Sequence, residues 1–403
     1  MLRPTPFDLA SGTVLGVGPA LPRPLSATVP DPLGALDEAV LPALRRPPCV
    51  VSFSGGLDSS LVLAVAVRAA RREGLPDPIA VTWRFTGAPR ADESSWQERV
   101  VRALRIEGSW QILRADDDLD LIGPVARRLL HRYGVLHPVN LHLHLPIVEL
   151  ATGGALLTGG GGDQILAGWR PPASSRARLR RVRRAGRALL TGSSRPTKLL
   201  PWLRPEVARE VYRALRAEQR AEPRQLGPRI AWHTRRRDLL LTCSALRAVA
   251  ADHRVALTQP LLDEGFLAAL SGLAGGRRRP TRDELLAEIV GGSLPVEVTA
   301  PRRKARFLEV FLRATTREFV RSWDGDGVDP RLVDAAALRS LWSRWPIPGG
   351  TAGLVQQLWL AANPTPSAAT GPTGGAASAA AGTGAPGPAV PASGSEPDAE
   401  VRS

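Results

Sequence analysis

Cysteine is nearly absent. Only Cys49 and Cys243 occur in 403 residues, far apart and outside any CxxC pair or His/Cys cluster. That excludes a disulfide scaffold and a structural zinc site, and it fits a reducing compartment. Also missing is any run of the roughly 18 uncharged apolar residues that a membrane helix needs, and the opening MLRPTPFDLASG has no apolar signal core. A cytoplasmic protein without a membrane partner is expected. No internal repeat of fixed period is present, which argues against a solenoid. What the sequence does have is a 43% hydrophobic and 23% charged composition, as in folded globular proteins, over a length sufficient for two or three domains. Lys+Arg (53) exceed Asp+Glu (38), for a net charge of +15. The excess fits either an acidic partner such as nucleic acid or a generally arginine-rich composition.

Along the chain, residues 1–47 read as a leader rich in Pro, Leu and Ala, with helical spacing only around Leu36 to Leu44. From Cys49 the pattern changes to strand-like runs alternating with helix-like ones. CVVSF precedes a helix over Ser59 to Arg72, and PIAVTWRF precedes a helix over Glu93 to Leu104. An apolar run from Trp110 to Leu113 is followed by helices near Leu119 to Tyr133 and Val139 to Thr152, then by ALLT ending at Thr158. This alternation predicts an α/β fold with a parallel sheet in residues 48–170 and a ligand crevice at the carboxyl ends of its strands. Trp83, Trp96 and Trp110 are read as core. Residues 171–230 form a basic segment, and 231–363 read as α-helical throughout, as in LLDEGFLAALSGL and ARFLEVFLRATT. The stretch from 364 to 403 is almost all Ala, Gly, Pro, Ser and Thr, a composition expected to be disordered.

The sharpest motif is SFSGGLDSS, Ser52 to Ser60, between a strand and a helix. Gly55 and Gly56 allow close backbone approach to a phosphate. Ser54, Ser59 and Ser60 offer hydroxyls, and the helix start adds unpaired amides and a positive dipole. Asp58 suits the Mg²⁺ that accompanies a nucleoside triphosphate. The lysine of a Walker loop is missing, so γ-phosphate transfer is not expected. A second loop, TGGGGDQILAGW, runs from Thr158 to Trp169. Taken alone, its glycines and Asp163 would equally suit a flexible surface loop.

SGGLDSS resembles the pyrophosphate loop of N-type ATP pyrophosphatases, and its leucine points to the asparagine synthetase branch. TGGGGDQILAGW resembles that family's SGEGSDExFGGY segment, and SLPVEVTAPRRKARF (Ser293 to Phe307) resembles its "LP … R.K..F" signature. The resemblance covers about residues 48–363. It implies an ATP pyrophosphatase-like sheet followed by a helical region, with ATP and Mg²⁺ as cofactors. A carboxylate would be adenylated with release of pyrophosphate, and ammonia or an amine would then displace AMP, as in asparagine biosynthesis. The site residues implied are Ser54, Gly55, Gly56, Asp58, Ser59, Ser60, Gly159 and Gly160 for the nucleotide, and Asp58 and Asp163 for the metal. Lys304 would neutralise charge in the transition state, although outside the resemblance it reads as a solvated lysine among arginines. PLLD (Pro260 to Asp263) resembles the family's "PFLD" and is equally a helix cap.

The departures bear on substrate. The family's glutaminase domain begins with a cysteine after the initiator methionine; here that position is Leu2, and the leader has no room for the domain. Nitrogen is therefore expected from solution, from a separate protein, or as an amine other than ammonia. Gly160 stands where the family carries a glutamate near the acyl adenylate, and Gln164 and Trp169 replace Glu and Tyr. The expected substrate is a small-molecule or peptide carboxylate. Alternatives are an amide cyclase of the lasso-peptide or β-lactam synthetase type, a pyrophosphate-loop RNA-modifying enzyme using the basic stretch Arg176 to Arg187, or a degenerate ATP-binding regulatory subunit. That basic stretch lacks aromatics for base stacking, which favours a solvated helix over nucleic acid. His142 and His144 have HxH spacing but no recognisable third ligand.

Overall fold

The computed structural model describes residues 1–19, 29–167, 199–273, 280–302 and 305–364. Helices α1 (Pro6–Ser11) and α2 (Pro32–Leu44) come first. The alternating segment then forms β1 (Cys49–Ser52), α3 (Leu57–Arg72), β2 (Ile79–Phe85), α4 (Ser94–Leu104), β3 (Trp110–Ala115), α5 (Pro124–Tyr133), α6 (Leu145–Leu150) and β4 (Ala155–Thr158). The parallel sheet expected from the pattern is present, in the order β3-β2-β1-β4-β5. Its fifth strand, β5 (Ala256–Thr258), corrects the expectation of an all-helical second half. Three residues beside one neighbour give too short a run to show any periodicity.

The period-two alternation of the strands sends successive side chains into two different layers. Val51, Phe53, Ala155 and Leu157 pack with α2, α3 and α4, whereas Val50, Val81 and Leu156 pack with α6. After β4 the chain forms α7 (Pro205–Ala221), α8 (Leu226–His233), α9 (Arg237–Asp252), α10 (Glu264–Leu273) and α11 (Arg282–Val290). It continues through α12 (Val296–Thr299), α13 (Leu308–Phe311), α14 (Ala314–Ser322), α15 (Ala335–Trp342) and α16 (Ala352–Ala362). Phe266 and Leu270 of α10 and Leu285 of α11 join the first layer, and Leu246 and Val249 of α9 join the second. A further cluster gathers Ala10 of α1, Trp202 of the turn before α7, and Trp342 and Trp359 of the later helices.

Several sequence expectations change. Helix α2 lies within the span read as a leader, yet its Leu36 and Val40 are fully buried against the first layer. ARFLEVFLRATT is not one helix. It breaks between α13 and α14 because the buried carboxylate of Asp120 accepts the Arg313 and Thr316 amides at 2.9 and 3.1 Å, which starts a new helix there. Trp83, Trp96 and Trp110 are half-buried rather than core; the indoles of Trp83 and Trp110 donate to Leu143 O and Thr82 Oγ1. Among the described residues no helix is long and apolar enough to cross a membrane.

Candidate active site

The strand order reverses between β1 and β4, where Ser52 and Thr158 are register partners. From β1 the chain goes on to β2 toward one edge of the sheet and from β4 to β5 toward the other, so a crevice opens at the carboxyl ends of these two strands. Both glycine-rich loops begin there. Gly55 has φ +94°, a backbone conformation that favours glycine. Gln97 of α4 braces the first loop by donating Nε2–H to Ser54 O at 2.8 Å. The Ser54 and Ser59 hydroxyls lie 3.0 Å apart, and Gly56 N–H donates to Ser54 Oγ at 3.2 Å. No side chain caps α3 at Gly56, which leaves its start open to an anion. Ser60 is fully buried, and its hydroxyl accepts from Arg302 at 3.2 Å.

The second loop lies directly on the first. A Cβ at Gly159 would stand 2.9 Å from Ser59 N, and one at Gly162 would stand 2.2 Å from Asp58 Cγ. Absence of side chains thus lets the second loop press against the start of α3. Asp163 opens a single π-helical turn, Asp163–Ala167, anchored by the fully buried Ile165 and Leu166. Such turns recur at functional sites. Gly160 abuts the Gln259 carboxamide just after β5, its would-be Cβ 2.3 Å from Nε2. Leu262 backs Gly161, and Asp263 Oδ1 accepts the Phe266 amide at 3.1 Å, so PLLD both walls the second loop and caps α10. Gln164 engages Asp238, whose carboxylate also lies 2.9 Å from His137 Nε2.

Two cations close the site. Arg282, at the start of α11, donates from Nη1 to Asp163 Oδ1 at 2.9 Å and from Nη2 to Asp58 Oδ1. Arg302 donates from Nη1 to Gly55 O at 2.5 Å and to Ser60 Oγ, from Nη2 to Glu297 O and Val298 O at 2.8 Å, and from Nε to Ala300 O at 3.2 Å. Its five donors are thereby all used. The guanidinium also lies 4.5 Å over the Trp96 ring, and burial brings its pKa down to about 10. Lys304 and Trp169, the basic stretch Arg176 to Arg187 and residues 365–403 lie outside the described residues.

One guanidinium touches both Asp58 and Asp163, so the two carboxylates together attract a cation. Two carboxylates suit Mg²⁺, which takes its remaining ligands from phosphate and water. Among the described residues no group of three or more His, Cys, Asp and Glu could hold a metal. Of the HxH pair, His142 is buried and its Nε2 bonds to Leu119 O at 3.0 Å; His144 is half-buried, and desolvation of its ring lowers its pKa to about 4.

Sequence reasoning missed Gln97, Gln259 and Arg282. Gln97 and Gln259 belong to no motif, and only folding brings them to the crevice. Arg282 is one arginine among many. Arg302 was visible in the R.K signature, but its role as a backbone clamp depends on Trp96 and the Glu297–Val298 carbonyls. A family model described as asparagine synthase matches residues 33–367. No curated protein matches the chain.

Proposed function

The chain belongs to the asparagine synthase family, whose members are ATP-dependent carbon–nitrogen ligases, and on that premise we propose that it joins a carboxylate to an amine through an acyl adenylate. The observation that carries this reading is the meeting of Asp58 and Asp163, from two separate loops, around one cation at the point where the strand order reverses. The substrate carboxylate attacks the α-phosphorus of ATP, the bond from phosphorus to the bridging oxygen breaks, and pyrophosphate departs. An amine then attacks the acyl carbon, loses a proton, and AMP leaves.

In this scheme the Ser54 and Ser59 hydroxyls and the amides at the start of α3 hold the phosphates. Gly55, Gly56 and Gly159 keep the crevice open to the backbone, and Ser60 steadies the loop through Arg302. Mg²⁺ held by Asp58 and Asp163 would supply charge neutralisation on the departing pyrophosphate. Lys304, two residues beyond the Arg302 clamp, is assigned the cation that meets charge developing on the α-phosphorus.

Gly160 carries no carboxylate and faces the neutral Gln259 amide. This favours, as a second reading, an amine within a larger acyl substrate over free ammonia with aspartate, as in an amide cyclase. Product analysis with Mg·ATP across a panel of amino acids and peptides, with ammonia or with their own amines, tests the proposal. AMP and pyrophosphate are expected, and Asp58→Asn and Asp163→Asn should each lower turnover by about 100-fold or more. ADP and phosphate as the main products would overturn it.

A further inference from the structure

The atoms that Arg282 touches are those a divalent ion would need. Its two Nη nitrogens contact Asp58 Oδ1 and Asp163 Oδ1, one carboxylate from each loop. Arg282 and Asp58 are largely covered, with 21% and 17% of their side chains exposed, whereas the Asp163 side chain is 50% exposed. Arg282 is also held in place from behind. It starts α11, whose first turn is fixed by a reciprocal cap in which Thr281 N–H donates to Glu284 Oε2 at 2.6 Å and Glu284 N–H donates to Thr281 Oγ1 at 3.2 Å. Glu284 is thus occupied with its own helix end. The third nitrogen of the guanidinium, Nε, is buried without a hydrogen-bond partner, so the side chain gives up one donor in this position.

A guanidinium and a Mg²⁺ ion cannot share these oxygens. The ion requires direct oxygen contacts of about 2.0–2.1 Å, and an arginine fork already filling the gap leaves no room for it. Charge points the same way, because two carboxylates brought together by the loops need a counter-cation in the nucleotide-free chain as much as in the loaded one. We propose that Arg282 is a resident counter-cation of the metal seat, a gate that must leave before a divalent ion can bind, and that it thereby weakens the chain's affinity for free metal. The proposal rests on the reading of Asp58 and Asp163 as metal ligands. It adds that the seat is self-occupied, so the chain takes up free metal weakly until the guanidinium is displaced.

Binding of Mn²⁺ alone to the full chain, followed by electron paramagnetic resonance of the free ion, tests this without substrate or turnover. Removing a charge-assisted competitor should tighten binding, so Arg282→Gln is expected to bind Mn²⁺ about tenfold more tightly than the unaltered chain. The Thr281–Glu284 cap remains in this variant. Arg282→Lys, which keeps the charge but loses the planar fork, should fall between the two and guards against a folding defect in the glutamine variant. Asp58→Asn should abolish the tight binding gained in Arg282→Gln. Equal or weaker Mn²⁺ binding in both arginine variants, with Asp58-dependent binding retained, would overturn the gate and leave the metal seat standing. Absence of Asp58-dependent binding in every variant would overturn the seat and the gate together.

Discussion

At the scale of single residues, adjacent glycines in the second loop make different demands. A Cβ at Gly162 would stand 2.2 Å from Asp58 Cγ, and one at Gly160 2.3 Å from Gln259 Nε2. The distances are similar but the neighbours are not. Asp58 is held by Arg282 and lies at the start of α3, whereas the Gln259 amide is the far end of a flexible side chain that can rotate away. Gly162→Ala should therefore displace the carboxylate and lower turnover by about 100-fold, the typical cost of a 1 Å misplacement at a reacting centre, while Gly160→Ala should change it little. Pyrophosphate release measured beside thermal melting separates the two. Comparable losses in both would mean that Asp58 is not critically placed.

At the scale of elements, α12 is a short strap joined to the first loop by one side chain. Arg302 ties the Glu297, Val298 and Ala300 carbonyls to Gly55 O and Ser60 Oγ. Lysine has three donors and no planar fork, so Arg302→Lys leaves at least two acceptors without their partner. A cost of about 2 kcal/mol is expected, read as a lower urea midpoint, together with weaker ATP binding because Gly55 is no longer held. An unchanged midpoint would show that the strap is not load-carrying. Strands β1, β2 and β4 were legible because parallel strands covered on both faces give continuous apolar runs bounded by turns, edge strand β3 through its run from Trp110 to Leu113, and the two loops because their glycines fall directly after β1 and β4. Strand β5 was not legible, being three residues long, and neither was the start of α14, which Asp120 supplies from nearly two hundred residues away. Arg282 could not be distinguished because its role is set by two carboxylates that only the folded sheet brings together.

At the scale of the whole molecule, the buried His142 and His233 and the half-buried His144 tie stability to pH. Burial lowers the His144 pKa to about 4 and pulls those of His142 and His233 downward too. In the unfolded chain a histidine takes its proton near 6.5, whereas the folded chain resists protonation until a lower pH. The stability they support is therefore full above about pH 6.5 and is lost as pH falls toward 4, by up to about 1.4 kcal/mol per pH unit for each histidine so held. Urea midpoints between pH 7.5 and 4.5 should trace this decline, and His144→Leu should make it shallower. A flat profile would contradict the buried-neutral assignment. The order of the strands has one more consequence, for a chain emerging from the ribosome. The first phosphate loop appears early, but its partner carboxylate comes only with the loop after β4, and the Arg302 clamp comes later still. A chain stopped before Arg302 thus carries the first glycine loop with neither its partner loop's carboxylate in place nor the clamp that holds Gly55 O.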